Sequence, residues 1–387
     1  MVSLAFLSYK VKTMATTMAT IAVLVAVGTT AIAFGYTLYQ NTEQYTYENN
    51  NFDCYYYSND ASLLSDVEGV LSQYGASVTD VAQFAGYLSK PVFNVPSEYV
   101  YNNDCYIITY SESSYNSIVS AAKSYNESVS VAEGEALLIY SYDEGDVTGE
   151  TASIQYGDEI FSATINTVNH VFNYGGDAPV GIVLNDADFN KLRAEGYIAT
   201  SFADQDALTQ VVGINYTDSL NSEELADALS SLLGERSDGY RVSYYMYSEL
   251  LGDYGLLCFI GFFMCVVFIL MTASMLYFKQ ISIATQEKVQ YATLRKIGIT
   301  DAEENQIVTK RLLPIFFLPL LLGIIHSVFA MKGADTIIFS NMIVVKSTTS
   351  TFWSVLKTSG VMYAAYSLIY FLFYVLTKKQ YKQTIRS

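Results

Sequence analysis

The sequence predicts an α-helical membrane protein with four transmembrane helices, both termini inside, and a large extracytoplasmic α/β domain between helices 1 and 2. Three observations predict it. Four apolar runs approach or exceed the roughly 20 residues needed to cross a hydrocarbon core. Basic residues gather in the three segments that such a topology places in the cytoplasm. The long segment after the first run is strongly acidic and alternates strand-like with helix-like patterns. Of 387 residues, 51% are apolar and 15% are charged, a charge content well below that of soluble domains.

In chain order, residues 1–13 are a cytoplasmic N-terminus with Lys10 and Lys12, and residues 14–39 are the first helix. Ala31, Ile32 and Ala33 also fit the small-residue pattern of a signal-peptide cleavage site. A run of about 26 apolar residues exceeds an ordinary signal core and favours a span. Residues 40–253 form the extracytoplasmic domain and residues 254–278 the second helix. Residues 279–311 form a cytoplasmic region with six basic residues, and residues 312–331 the third helix. An external loop (332–352) and the fourth helix (353–377) follow, then a cytoplasmic tail (378–387) with Lys378, Lys379, Lys382 and Arg386.

The external segment carries 33 Asp and Glu against six Lys and Arg. Such a field attracts cationic ligands, basic peptides included, and equally serves as a solvated surface that keeps an exported domain soluble. Three stretches read as strand, polar cap and amphipathic helix: "CYIITY" before "SESSYNSIVSAAKSY", "PVGIVL" before "NDADFNKLRAEGY", and "VVGINYT" before "DSLNSEELADALSSLLGER". In the third, Leu225, Leu229 and Leu232 recur at helical spacing behind Asn221 or Ser222, and Glu223 and Glu224 occupy the first turn, where the helix dipole favours anions. Cys54 and Cys105 lie in this oxidising compartment; one disulfide and two separate buried thiols are both compatible with their placement.

Catalytic chemistry is not encoded at any local spacing. The two histidines, His170 and His326, fall in different parts of the topology, so neither a His-based zinc site nor a Ser-His-Asp arrangement assembles. A phosphate-binding G-x-x-x-x-G-K-[ST] loop is absent from the sequence. Accordingly no enzyme activity, no cofactor, no metal and no nucleic-acid partner are expected. Cys258, Gly261, Cys265 and Thr272 share one helix face as a small-residue packing stripe, and Tyr363, Tyr366, Tyr370 and Tyr374 form a stripe on the last helix.

The gap between the second and third helices is more specific: "QISIATQEKVQYATLRKIGITDAEENQIVTKR". Ile283, Leu294 and Ile297 fall on one side of a helix, and Lys288 and Arg295 on another. Gly298 reads as a helix stop, and Thr300 with Glu303 as the capping box of a new helix. Helix, elbow, helix is the result, with an apolar edge that topology alone does not require.

"YATLRKIG" resembles the Y-x-x-L-R-x-x-G signature after the second span of FtsX-like ABC transporter permeases, a group that includes the macrolide exporter and the lipoprotein-release machinery. "LLPIFFLPLLLGIIHSVFA" and "LSYKVKTMATTMATIAVLVAVGTTAIA" resemble the C-terminal half of bacitracin-type antimicrobial-peptide permeases of Gram-positive bacteria. The resemblance implies a multi-pass plasma-membrane permease subunit whose elbow docks on an ABC-type ATP-binding subunit. By position the docking element takes in Gln290, Tyr291, Leu294, Arg295, Lys296 and Gly298. Gln290 departs from a glutamate common in the wider group. Such permeases pair with a histidine kinase and serve resistance to, sensing of or export of peptide antibiotics, free or lipid-bound. They typically have ten spans and this chain resembles only the last four, so the resemblance implies a half-size subunit that dimerises or joins a companion permease half, or a truncated product. Alternative readings are a cell-wall-regulating permease and a membrane-anchored receptor or adhesin without an ATPase.

Overall fold

The computed structural model describes residues 2–94, 106–123, 128–140, 151–166, 180–203, 210–339 and 351–387. The chain opens with α1 (Val2–Gln40) and α2 (Thr42–Asn49), then β1 (Cys54–Ser58), α3 (Leu63–Gln73), β2 (Val78–Phe84), β3 (Leu88–Ser89), β4 (Val92–Asn94), β5 (Ile107–Ser111) and α4 (Glu112–Ala121). It continues with β6 (Glu135–Tyr140), β7 (Thr151–Tyr156), β8 (Glu159–Asn166), β9 (Val180–Leu184), α5 (Asp186–Ala194), β10 (Ile198–Ala199), β11 (Gln210–Tyr216), α6 (Glu223–Arg236) and β12 (Gly239–Val242). Three long helices close it: α7 (Ser243–Lys296), α8 (Asp301–Ala334), which runs on into a π-helical turn at Asp335–Phe339, and α9 (Thr351–Arg386). These elements fall into a helical unit, built from α1, most of α7, α8 and α9, and an α/β unit built from the segment between α1 and α7.

Helices α1, α7, α8 and α9 each contain a stretch long and apolar enough to cross a membrane. Lys357 lies inside the fourth stretch with its side chain on the exposed face. In such a stretch every backbone polar group needs an internal partner, and hydroxyls must find acceptors too. Thr29 donates back to the Val25 carbonyl at 2.7 Å, and Thr30 donates to Ser327 of α8 at 2.9 Å. The small-residue stripe is where α7 meets α1. A Cβ on Gly35 would lie 2.7 Å from the Cα of Cys258, and one on Gly261 would lie 2.5 Å from the Ala31 carbonyl oxygen. Only glycine permits backbones this close. The tyrosine stripe of α9 faces inward: Tyr363, Tyr366, Tyr370 and Tyr374 are all buried, and Tyr370 and Tyr374 pack edge-on against Phe316 of α8. His326 faces outward from α8.

The α/β unit has two sheets. One is antiparallel, in the order β12-β1-β11-β2, with α3 and α6 burying Leu63, Val67, Leu71, Leu225, Leu229 and Leu233 against it. The other is mixed, in the order β10-β3-β5-β9-β6-β8-β7-β4, with parallel pairs at β5/β9 and β6/β8. All three strand-cap-helix stretches form as the sequence predicts. Their caps are Ser111, Asn185 and Ser222, each accepting from a backbone N–H in the first helical turn. Ser222 rather than Asn221 takes the last of these, and Leu233 rather than Leu232 completes the buried face, since it falls one full turn beyond Leu229.

One buried carboxylate joins the ends of this unit. Asp53, before β1, accepts from the Tyr47 hydroxyl of α2 and the Lys123 ammonium beyond α4, both at 2.6 Å, and from the Tyr216 N–H of β11 at 2.9 Å. Its carbonyl accepts from the Ser243 N–H at the start of α7 at 2.8 Å. Burial, with the bond to Asp53, pushes the Tyr47 hydroxyl well above the ordinary tyrosine range and keeps it a donor. On the surface, Asp60 accepts from Ser62 and from Arg236 of α6. Those bonds, that of Ser62 foremost, hold its carboxyl down at about 2.

Gly35→Val is expected to cost about 1–3 kcal/mol through overpacking, read as a lower midpoint in detergent-solubilised thermal unfolding. Gly252→Ala, whose Cβ meets nothing within 4 Å, should leave that midpoint in place or raise it. The depressed Asp60 carboxyl predicts a pH dependence. Its stabilisation is complete above about pH 5 and disappears as pH falls through about 4 towards 2. The gap in thermal midpoint between the native chain and Asp60→Asn should therefore close over that window, and a gap that stays constant contradicts the assignment.

Candidate functional site

At its C-terminal end α7 turns through residues 297–300 into α8. The turn is a Schellman stop: the Gly298 N–H donates to the Arg295 carbonyl at 3.1 Å and the Ile299 N–H to the Leu294 carbonyl at 3.3 Å. Gly298 adopts φ +100°, a conformation costly for any side chain. Thr300 then caps α8 in a reciprocal box, accepting from the Glu303 N–H while the Glu303 carboxylate accepts from the Thr300 N–H. Both signals read from the sequence operate within one tight turn.

The six sequence-derived site residues divide by environment. Tyr291 is buried in a cluster with Val308 and Leu312 of α8 and Tyr381 and Ile385 of α9. Gln290 and Lys296 are exposed. Leu294 is 37% exposed and Ile297 78%. The apolar edge therefore persists over its last turn. Its earlier member Ile283 packs on the core instead. Arg295 turns inward, on the same helical face as Tyr291, and leaves Lys288 and Lys296 as the exposed basic positions.

Arg295 donates to the Glu304 carboxylate at 3.3 Å and to the Ile385 carbonyl of α9 at 2.8 Å. Glu304, only 1% exposed, also accepts from Arg386 of α9 at 2.7 Å, and Arg386 reaches Asp301 at 2.5 Å. About two turns deeper, Glu287 of α7 forms a two-pronged pair with Arg311 of α8 and accepts from the Tyr381 hydroxyl at 3.1 Å. The Arg311 guanidinium also lies 5.6 Å from the Tyr381 ring centroid. Sequence reasoning passed over Glu287, Glu304, Arg311, Tyr381 and Arg386. A signal was present: outside the acidic domain the chain has five carboxylates, and four of them, Glu287, Asp301, Glu303 and Glu304, sit in this otherwise basic gap.

Among the described residues no group of three or more His, Cys, Asp or Glu side chains is placed to hold a metal ion. Cys54 is a buried thiol in β1, pushed up by burial and by neighbouring Asp53; Cys105 lies outside the described residues. What the arrangement offers is a rigid two-helix corner, cross-braced by buried ion pairs, with an apolar and basic outer surface.

No family model matches the chain. Parts of it are similar to ABC transporter permeases. The permease YxdM of Bacillus subtilis is 28% identical over 158 residues, 39% of this chain and 23% of that protein. The uncharacterized permease YvcS of the same organism is 28% identical over 130 residues, 34% of this chain and 18% of that protein. A bacitracin export permease, BceB, of Halalkalibacterium halodurans is 31% identical over 133 residues, 34% of this chain and 18% of that protein. The chain thus spans about a fifth of the length of the curated relatives it matches.

Replacing Arg311 with Ala strands the Glu287 carboxylate and is expected to destabilise the helical unit by about 3–5 kcal/mol, measured by denaturant unfolding in detergent. The double replacement Glu287→Leu with Arg311→Met should recover most of that loss, because it removes both desolvated charges together.

Proposed function

We propose that this chain is the membrane subunit of an FtsX-like ABC transporter, with the elbow at residues 297–300 as the docking point for a separate ATP-binding subunit. The observation that carries the reading is the exposed apolar surface of Leu294 and Ile297 on an elbow braced by capping and buried ion pairs. An exposed apolar patch at a braced corner is the kind of surface a protein partner covers. The similarity to ABC transporter permeases supplies the partner class.

The basic residues around the elbow and on the end of α9 support a topology with both on the cytoplasmic side of the plasma membrane, N-terminus and C-terminus inside, and the acidic α/β unit outside. Helix α7 is a single helix of 54 residues, about 80 Å long, whose first turns belong to the α/β unit. In this reading the long helix relays movement of the elbow towards the acidic unit. The acidic unit then responds to, or acts on, a cationic peptide antibiotic or its lipid-bound form, in resistance, sensing or export, with a histidine kinase as a further partner. In this reading another copy of the chain or a companion permease half is the further membrane partner.

The native chain, solubilised from its host, is expected to retain an ATP-binding subunit, and Leu294→Asp with Ile297→Asp should weaken that association by roughly tenfold or more. Retention of no ATPase by the native chain would overturn the reading.

A further inference from the structure

We propose that Glu304 is a positioning residue that clamps the end of α9 to the elbow and so passes load on the docking surface into α9. This rests on the reading of the elbow as that surface. Glu304 is fully buried and is shared by two guanidiniums from different helices, Arg295 of α7 at 3.3 Å and Arg386 of α9 at 2.7 Å. Each arginine makes a second bond that closes the ring: Arg295 to the Ile385 carbonyl, Arg386 to Asp301 in the first turn of α8. Ile385 and Tyr381 are buried in the same cluster as Tyr291. Three helices therefore meet at one carboxylate, and none of the four charged groups is needed on the outer face that carries Leu294 and Ile297. The last turn of α9, which in sequence is only a basic tail, is a structural third of the elbow. Load applied at the docking surface enters α9 as well as α7 and α8.

Arg386→Gln, Glu304→Gln and Arg386→Lys test this in the full chain, reconstituted in lipid nanodiscs. Arg386 is 40% exposed at its side chain, so its loss leaves the fold standing even where Glu304→Gln does not. Amide exchange over residues 296–304 is expected to quicken about tenfold in Arg386→Gln, to stay native over residues 260–275, and to return towards native in Arg386→Lys. Unchanged exchange at the elbow in a folded Arg386→Gln protein overturns the clamp. With the ATP-binding subunit present, association should survive in Arg386→Gln while stimulation of ATP hydrolysis falls several-fold. Parallel loss of both places Arg386 in the contact itself and also overturns the proposal. Failure of the native chain to bind any ATPase removes the docking reading, and the exchange data then decide the clamp by themselves.

Discussion

A carboxylate taken out of water must be met by donors, and three such carboxylates set where the segments of this chain join. Asp53 gathers α2, the loop after α4 and β11 around one pair of carboxylate oxygens, and its main-chain carbonyl holds the start of α7. Glu287 joins α7, α8 and α9, and Glu304 does so again one layer nearer the elbow. A buried ion pair adds little net stability over apolar packing, but it penalises every arrangement that leaves one member alone. Such pairs select a register rather than strengthen a core. At the elbow they hold α7 and α8 at one mutual position, so that the exposed apolar residues beyond them sit on a defined surface.

The second constraint is the membrane's intolerance of unpaired backbone. Helices α1 and α7 approach through Gly35 and Gly261 until backbone meets backbone, a distance that dispersion rewards and any larger side chain forbids. Hydroxyls in the same region are spent locally or across helices, as in Thr29 to Val25 and Ser327 to Tyr363. The α9 tyrosines, which composition alone would place equally well at a lipid interface, instead give α8 a wall of aromatic edges. The helical unit is thus packed by small residues on one side of α1 and by large rings between α8 and α9.

The asymmetry of charge joins these mechanical features to the function proposed. Nearly all the carboxylates lie in the α/β unit, and most of the basic residues lie outside it. One helix, α7, has its first turns in the first environment and its last in the second. Its central stretch is apolar and its C-terminal turns carry Arg295 and Lys296, where the helix dipole favours cations.

Much of this was legible in order along the chain. Apolar run length determined the four long helices, because crossing a hydrocarbon layer requires a fixed length of continuous apolar surface. Local hydrogen-bonding chemistry determined the caps at Ser111, Asn185 and Ser222 and the turn at Gly298 and Thr300, because a cap is satisfied by residues within three positions of it. The tertiary structure alone decided which face of α7 is inner. Helical periodicity places Arg295 as readily on a basic outer edge as on an inner face, and only Glu304 and the Ile385 carbonyl, 9 and 90 positions away, draw it inward. The same holds for Asp53, Glu287 and the strand order of both sheets: their partners are distant in sequence, and pairing between distant groups is settled by packing rather than by spacing.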